Sequence, residues 1–169
     1  MGHVHDNSSI GIECGYRPGL LARCTELHAL YYARESGFGR VFEAMIAGGL
    51  AEFSNRLDNP CNQIWYALKG NKVLGTIAVD GEDLGDGKAH LRWFIMDDET
   101  RGQGVGRKLL STALHFCDKY RFSETHLWTF KGLDAARHLY EANGFQLAEE
   151  RPGEQWEKPV LELLFIRRR

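Results

Sequence analysis

The stretch 101-RGQGVGRK-108 joins a strand-like segment to a helix-like segment and carries three glycines at alternate positions. Before it, residues 91–96 (LRWFIM) have the aromatic and β-branched content of a strand, and after it apolar residues recur at helical spacing through residues 105–120. The glycines are therefore predicted at a helix N-terminus. Unpaired backbone N–H groups, the helix dipole and the missing side chains together favour a bound phosphate group there.

The spacing of the glycines distinguishes among the types of phosphate-binding loop that this stretch could form. A P-loop requires Gly-Lys followed by Ser or Thr, and no glycine here meets that pattern. A dinucleotide fingerprint counted from Gly102 requires a third glycine where Arg107 stands. The pattern Arg/Gln-x-x-Gly-x-Gly/Ala is complete, as Arg101, Gly104 and Gly106. It resembles the acyl-coenzyme A pyrophosphate loop of the GNAT superfamily of N-acetyltransferases.

Composition bounds the class of protein. With 169 residues, 43% hydrophobic and 26% charged, the chain has the size and composition of one soluble globular domain. A formal net charge of -2 argues against a nucleic-acid-binding surface that covers the domain. Cys14, Cys24, Cys61 and Cys117 are scattered, and neither a signal peptide nor an apolar run of about 20 residues is present. We therefore expect a cytoplasmic protein with reduced thiols, no zinc and no membrane partner.

Hydrophobic periodicity predicts an α/β fold. Strands are predicted at 10–16, 62–68, 73–79, 91–96, 124–129, 145–149 and 160–166, and helices at 20–31, 42–57, 104–120 and 133–143. Residues 1–9 are polar and are expected to form a solvated tail, in which two histidines are too few for a metal site. Residues 10–167 are expected to form a single domain.

The order of these elements resembles the whole GNAT fold, an α/β fold in which about seven strands form a mixed, centrally splayed sheet with four helices. Within that superfamily the chain is similar to the acetyltransferase halves that follow a winged-helix regulator of the MarR type. The similar segments are 15-GYRPG-19, 30-LYYARE-35, 127-LWT-129 and residues 135–145. The regulator half is absent from this sequence, so the resemblance implies no DNA-binding role.

The resemblance implies acetyl-CoA as cosubstrate and assigns the residues that bind it. The pantetheine arm is expected along the backbone of Phe94, Ile95 and Met96. The pyrophosphate is expected on the glycine loop, through backbone N–H groups and nearby cations: Arg101, Gly102, Gln103, Gly104, Val105, Gly106 and Arg107. The neighbouring acids 97-DDE-99 are expected to point to solvent.

Two residues are candidates for proton transfer. Tyr140, within 139-LYEANGF-145, matches the tyrosine that protonates the coenzyme A thiolate in many GNAT members. His90 falls on the strand position where some GNAT histone acetyltransferases hold a glutamate base, and an imidazole titrates near neutrality. A purely structural His90, with a water chain as base, is the alternative.

Cys117 lies on the apolar stripe of the long helix and is expected to be buried rather than nucleophilic. The remaining histidines of the domain have no spacing typical of a metal site: His28, His115, His126 and His138.

The expected acceptor is a small-molecule or peptide amine, and a homodimer is compatible with the sequence. The family places amine substrates across the first two helices and the loop before the last strand, where the aromatic candidates are Tyr31, Tyr32, Phe38, Phe42 and Trp156. The predicted function is acetyl transfer to a primary amine by direct attack, without a covalent enzyme intermediate or a metal. The rival hypotheses are a non-catalytic regulatory module that binds acetyl-CoA and a dinucleotide-binding oxidoreductase.

Overall fold

The computed structural model describes residues 9–154 and 158–169. Within them the chain forms seven strands and four α-helices. The strands are β1 Gly11–Cys14, β2 Gln63–Lys69, β3 Lys72–Asp80, β4 Lys88–Met96, β5 Glu124–Phe130, β6 Phe145–Gly153 and β7 Val160–Arg168. The helices are α1 Leu20–Ser36, α2 Arg40–Ser54, α3 Val105–Lys119 and α4 Asp134–Ala142, and a 3-10 turn, Asp98–Thr100, follows β4. Every predicted element is present in the predicted order.

The strands form one mixed sheet in the order β1-β2-β3-β4-β5-β7-β6. All neighbours are antiparallel except β4 and β5, which run parallel. Their pairing is confined to residues 88–90 against residues 124–126, after which the two strands diverge. The predicted central splay is therefore confirmed, and it opens the sheet toward the carboxyl ends of β4 and β5.

Helices cover both faces of the sheet. Helices α3 and α4 cover one face, where the buried side chains include Leu109, Ala113, Ile77, Leu127 and Phe165. Helices α1 and α2 cover the other face, where the buried side chains include Leu20, Phe42, Leu50, Phe53 and Tyr66. Because each helix pair buries one apolar stripe against a two-faced sheet, the layers enclose the splay from both sides. None of the described helices is long and apolar enough to cross a membrane.

The carboxyl ends of β1 and β6 differ from the prediction for identifiable reasons. β1 ends at Cys14 because Gly15 has a φ of 87°, which turns the chain out of the sheet. β6 continues to Gly153 instead of ending near Glu149, since it pairs with β7 over its whole length. It is an edge strand whose side chains are almost all exposed, so it lacks the alternation that marks a half-buried strand.

A buried ion pair fastens the end of α2 to the end of β3. Asp80 is fully buried and accepts two hydrogen bonds from the Arg56 guanidinium, at 2.6 and 3.0 Å. Burial raises the pKa of the Asp80 carboxyl, but the Arg56 charge and the backbone N–H groups of Glu82 and Asp83 outweigh it and hold that pKa at about 2. Asp80 therefore remains charged at neutral pH.

We expect the Asp80→Asn variant to lose about 3 kcal/mol of unfolding free energy at pH 7, because it breaks a buried ion pair. A depressed folded-state pKa adds stability above the unfolded value of 3.8, and that stability is lost as the pH falls toward about 2. The difference from wild type should therefore shrink when urea unfolding is repeated at pH 3. Asp86→Asn, at an exposed loop position, is the control and should change stability by less than about 0.5 kcal/mol.

Candidate active site

A cavity of about 640 Å³ lies where β4 ends, between the start of α3 and helix α4. We call it the loop cavity. Its walls include most of the residues that the sequence predicted for cofactor binding: Phe94, Ile95, Met96, Arg101, Gly102, Gly104, Val105 and Gly106. The remaining walls come from the 3-10 turn and its N-cap, which include Asp97, Asp98 and Thr100, and from α1, β5 and α4, which include Tyr31, Tyr32, Thr129, Ala136, Leu139 and Tyr140.

The glycine loop presents bare backbone to this cavity. Gly102 and Gly104 have φ values of 75° and 71°, and a Cβ atom at either position would meet nothing within 4 Å. Gly104 is the N-cap of α3, and the first turn of this helix contains no acidic residue and no side-chain cap. The first-turn N–H groups of α3 therefore remain available to an anion, and the helix dipole adds partial positive charge. This is a cradle that fits a pyrophosphate.

Two residues that were predicted to contact phosphate do not line the loop cavity. Gln103 donates through Nε2 to the Glu99 carbonyl oxygen at 2.8 Å, and the exposed Arg107 side chain is not part of the cavity wall. Arg101 does line the cavity, and its guanidinium also pairs with Asp98 at 3.1 Å.

The expectation that residues 97–99 point to solvent is wrong for Asp97. Its carboxylate caps the 3-10 turn by accepting from the Glu99 N–H, and it pairs with Arg23 at 2.7 Å. Asp98 pairs with Arg34 at 3.0 Å, and Glu99 pairs with Lys72 at 3.0 Å. The run of acids is therefore neutralised by cations from α1 and β3, which reduces its repulsion of an anionic ligand.

Strand β4 has a free edge and a bulge at the loop cavity. From Leu91 to Met96 it has no strand partner on the β5 side, so backbone N–H and C=O groups on that edge can pair with an extended ligand. Two residues, Trp93 and Phe94, lie opposite the single residue Ile77, and Trp93 has a φ of 49°, which is rare for a residue with a large side chain. The bulge places Trp93 toward α1 and α2 and Phe94 toward α3.

A buried chain of hydrogen bonds braces this bulge. The Thr76 hydroxyl donates to the Trp93 carbonyl oxygen at 2.7 Å, so the Cys24 thiol, 3.2 Å away, donates in turn to the Thr76 oxygen. Burial raises the pKa of the Cys24 thiol to about 12. The strained conformation of Trp93 is thus held by groups on β3 and α1 rather than by β4 alone.

Tyr140 extends from α4 into the splay and is buried among the rings of Phe94, Phe145 and Phe165. Its hydroxyl makes no hydrogen bond within the described residues, where every fully buried polar side-chain atom has a partner. The hydroxyl therefore opens onto cavity space. Burial raises the pKa of Tyr140 above its usual range, so at neutral pH the phenol keeps its proton and can donate it.

A second cavity, of about 280 Å³, lies under α1 and α2 on the opposite face of the sheet. We call it the helix-pair cavity. Its apolar wall is formed by side chains from α1, α2, β4 and β5, and its polar residues include His28, His90, Arg92, Arg151 and Glu162. Four residues line both cavities: Tyr32, Phe94, Thr129 and Tyr140. A group bound in one cavity can therefore meet a group bound in the other beside the Tyr140 ring.

The acceptor candidates divide between these cavities. Tyr32 and Phe42 line the helix-pair cavity, whereas Tyr31 lines the loop cavity only and Phe38 is buried beneath Tyr32. Trp156 lies outside the described residues. His90 also lines the helix-pair cavity, with Nδ1 at 2.6 Å from a carboxylate oxygen of Asp83.

Several residues of the helix-pair cavity have no recognisable pattern around them in the sequence. His28 was set aside because it has no metal-ligand spacing, and Arg92, Arg151 and Glu162 have no motif around them. They come together from α1, β4, β6 and β7, so no local pattern could have grouped them. Only the regular spacing of Cys24 and His28, four residues apart on α1, was visible in the sequence.

Nothing in the described part of the chain suggests a metal site or a cysteine nucleophile. Groups of three or more potential metal ligands do not occur there. Cys117 is buried, as predicted, and burial raises the pKa of its thiol to about 11. A thiol with so high a pKa is a poor nucleophile at neutral pH.

A splayed sheet with a bulge in β4 and a glycine loop at the start of α3 is typical of an acetyltransferase fold that binds acyl-coenzyme A. The model of the acetyltransferase (GNAT) family matches residues 24–145. The chain belongs to this family, as its glycine loop predicted.

Curated relatives share part of the sequence. N-acetyltransferase 8B of Homo sapiens is 27% identical over 124 residues, which cover 71% of this chain and 55% of the relative. N-acetylaspartate synthetase of Xenopus tropicalis is 31% identical over 53% of this chain and 33% of the relative. Spermine/spermidine N(1)-acetyltransferase of Bacillus subtilis is 30% identical over 49% of this chain and 55% of the relative. The chain thus spans about half the length, or less, of these relatives.

Solved structures share the fold over nearly the whole chain. An acetyltransferase from Streptococcus agalactiae has a TM-score of 0.75 at 20% identity, covering 96% of this chain and 99% of its own. The yncA protein of Salmonella typhimurium, solved with its cofactor acetyl-CoA, has a TM-score of 0.73 at 14% identity, covering 95% of this chain and 94% of its own. The single α/β domain with a mixed sheet and four helices is therefore a GNAT fold.

Proposed function

We propose that this chain is an N-acetyltransferase that transfers an acetyl group from acetyl-CoA to a primary amine by direct attack. The observation that carries the proposal is the shared wall of the two cavities, where Tyr140 lines both. Bound acetyl-CoA would supply a thioester, whose C–S bond breaks as the amine forms a C–N bond with the acetyl carbon. The loop cavity has the anion cradle for its pyrophosphate, and the helix-pair cavity has room for a small amine.

Different residues of the chain would bind the phosphates, hold the pantetheine arm and protonate the thiolate. The first-turn N–H groups of α3, with Arg101 beside them, bind and orient the phosphates. The free edge of β4 at Phe94, Ile95 and Met96 holds the pantetheine arm in an extended conformation. Tyr140 protonates the departing thiolate, because its phenol is protonated at neutral pH and opens onto the cavity where the sulfur would lie. The side chains of Gln103 and Arg107 are the predicted contacts that this arrangement supports least.

The printed names of the relatives suggest two contrasting acceptor classes. One relative is named for spermine and spermidine, and another for N-acetylaspartate. The acceptor of this chain is therefore proposed among polyamines, amino acids and lysine-bearing peptides. The helix-pair cavity suits the smaller of these or the end of a longer one.

Other sequence expectations accompany this proposal. They are a domain spanning residues 10–167, a particular similarity to the acetyltransferase halves of MarR-type fusions, a cytoplasmic location, compatibility with a homodimer and no role for nucleic acid. Analytical ultracentrifugation of the purified chain would test the dimer directly.

The proposed function is tested by acetyl-CoA-dependent thiol release against four separate pools: amino acids, polyamines, aminoglycosides and lysine peptides. Release above the hydrolysis blank in one pool is the expected result, and mass spectrometry of the product should show one added acetyl group. Calorimetry must first show that the protein binds acetyl-CoA. Binding without release in any pool would contradict the proposal and support the non-catalytic regulatory module instead. Preferential binding of NADH would support the oxidoreductase.

A further inference from the structure

His28 is a buried histidine in the wall of the helix-pair cavity. It lies on the inner face of α1, is only 5% exposed, and its ring stacks near that of Tyr32. Its Nδ1 atom lies 2.7 Å from the Cys24 carbonyl oxygen, one helical turn earlier. A carbonyl oxygen can only accept, so Nδ1 carries the proton and Nε2 holds the free lone pair.

Within residues 9–154 and 158–169, this lone pair has no hydrogen-bond partner. In that part of the chain, no fully enclosed polar side-chain atom lacks a partner. Because the His28 side chain is otherwise buried, Nε2 opens onto the helix-pair cavity. A buried acceptor without a partner is costly unless a ligand or water satisfies it. The cavity is thus supplied with a hydrogen-bond acceptor at a fixed position.

The surroundings of His28 keep it neutral. The cavity wall around it includes the phenols Tyr32 on α1 and Tyr140 on α4, and its remaining ionisable residues lie on the sheet: His90, Arg92, Arg151 and Glu162. Burial lowers the pKa of His28 to about 4, although the hydrogen bond to the Cys24 carbonyl opposes this. A neutral imidazole with one outward lone pair selects a ligand that donates from N–H.

We propose that Nε2 of His28 accepts a hydrogen bond from the acceptor amine and takes its proton as the C–N bond forms. The inference rests on the proposed acetyl transfer. The amine nitrogen becomes acidic only when it bonds to the acetyl carbon, so its proton passes to Nε2 at that step and then leaves to water, while Tyr140 regains from water the proton that it gives to the thiolate. His28 thereby takes the role of base that the sequence suggested for His90, which lines the same cavity with its Nδ1 hydrogen-bonded to Asp83.

The arrangement of Cys24 and His28 could instead suggest a cysteine–histidine pair. The Sγ atom of Cys24 lies 3.7 Å from Nδ1 of His28. However, Nδ1 already donates to a carbonyl, and the thiol is fully buried and donates to Thr76. Cys24 therefore positions the ring, and the reactive lone pair is on the opposite side of the imidazole.

The first test compares His28→Phe with the control His115→Phe, whose histidine lines neither cavity. In His28→Phe, kcat/KM for the best amine pool should fall about 100-fold, as expected for a lost proton acceptor, while the affinity for acetyl-CoA stays unchanged. In His115→Phe, on the exposed side of α3, the fall should be less than about threefold. His28→Gln keeps a hydrogen-bond acceptor but has no basic nitrogen, so it should recover the KM for the amine and leave kcat low. Wild-type rates in a folded His28→Phe protein would overturn the inference and leave the proposed function intact.

The second test uses the wild-type protein and needs no turnover. The 15N resonances of the imidazoles are recorded with bound coenzyme A, first with n-butylamine and then with n-butyltrimethylammonium, which lacks an N–H donor. The Nε2 resonance of His28 should move with the amine and stay in place with the trimethyl analogue. No response to either probe would contradict the contact. If wild type releases no thiol in any pool, the proposed function fails, while this spectrum still decides whether His28 meets an amine.

Discussion

Replacing Tyr140 with phenylalanine is expected to lower kcat by about 100-fold, the usual contribution of a positioned general acid. The hydroxyl opens onto the boundary between the two cavities and makes no hydrogen bond within the described residues, so its removal leaves no buried partner unsatisfied. The ring remains packed among Phe94, Phe145 and Phe165, and stability should change little. Steady-state kinetics and acetyl-CoA calorimetry on the same preparations measure both effects.

The control for this variant is Tyr66→Phe. The Tyr66 hydroxyl on β2 donates to Glu13 on the edge strand β1 at 3.2 Å. Removal of this hydroxyl should leave kcat unchanged. If Tyr140→Phe keeps the wild-type kcat, Tyr140 is not the acid. If its affinity for acetyl-CoA falls as far as its kcat, Tyr140 serves binding rather than proton transfer.

Replacing Gly104 with valine is expected to weaken acetyl-CoA binding by about 100-fold. Gly104 lies in the left-handed region at the N-cap of α3, where a β-branched residue costs about 1–2 kcal/mol of strain. Relief of that strain would turn the first-turn N–H groups away from the phosphates, and the side chain would enter the space that the ligand needs. A loss of about 2.7 kcal/mol in binding corresponds to this factor.

Gly19→Val is the matched control for this prediction. Gly19 is also a left-handed N-cap, of α1, with a φ of 87° and nothing within 4 Å of a Cβ atom. Both variants should lose similar stability in urea, because they carry similar backbone strain. Only Gly104→Val should lose affinity for acetyl-CoA in calorimetry. An equal loss of affinity in both variants would show that strain alone is responsible and that the loop is no phosphate cradle.

Local patterns predicted the elements around the site well. The glycine loop does begin α3, and the predicted strands and helices occur in the predicted order. These features depend on backbone freedom and side-chain periodicity within about ten residues, which a sequence displays directly. Strand β6 was predicted too short, because its edge position removes the alternation that periodicity needs.

The base is the part of the site that local patterns indicated least. The place of His90 on β4 suggested it as a base, and it does line the helix-pair cavity, with its Nδ1 hydrogen-bonded to Asp83. His28 lies 62 residues earlier on α1 and had no motif to distinguish it. Within the described residues, its Nε2 has no hydrogen-bond partner and faces the helix-pair cavity. The packing of α1 and α2 on the sheet creates this cavity, and local sequence patterns do not reveal that packing.

The sequence by itself determined the fold family, the glycine-rich start of α3 and the helix that carries Tyr140. Its residues encode these features locally, through the left-handed Gly102 and Gly104 and through regular apolar spacing. Only the tertiary structure decided which way Trp93 and Phe94 face, because one bulge against β3 reverses the alternation of the strand. The tertiary structure also decided that Tyr140 lines both cavities, since this depends on long-range contacts among α1, α4 and the diverging strands.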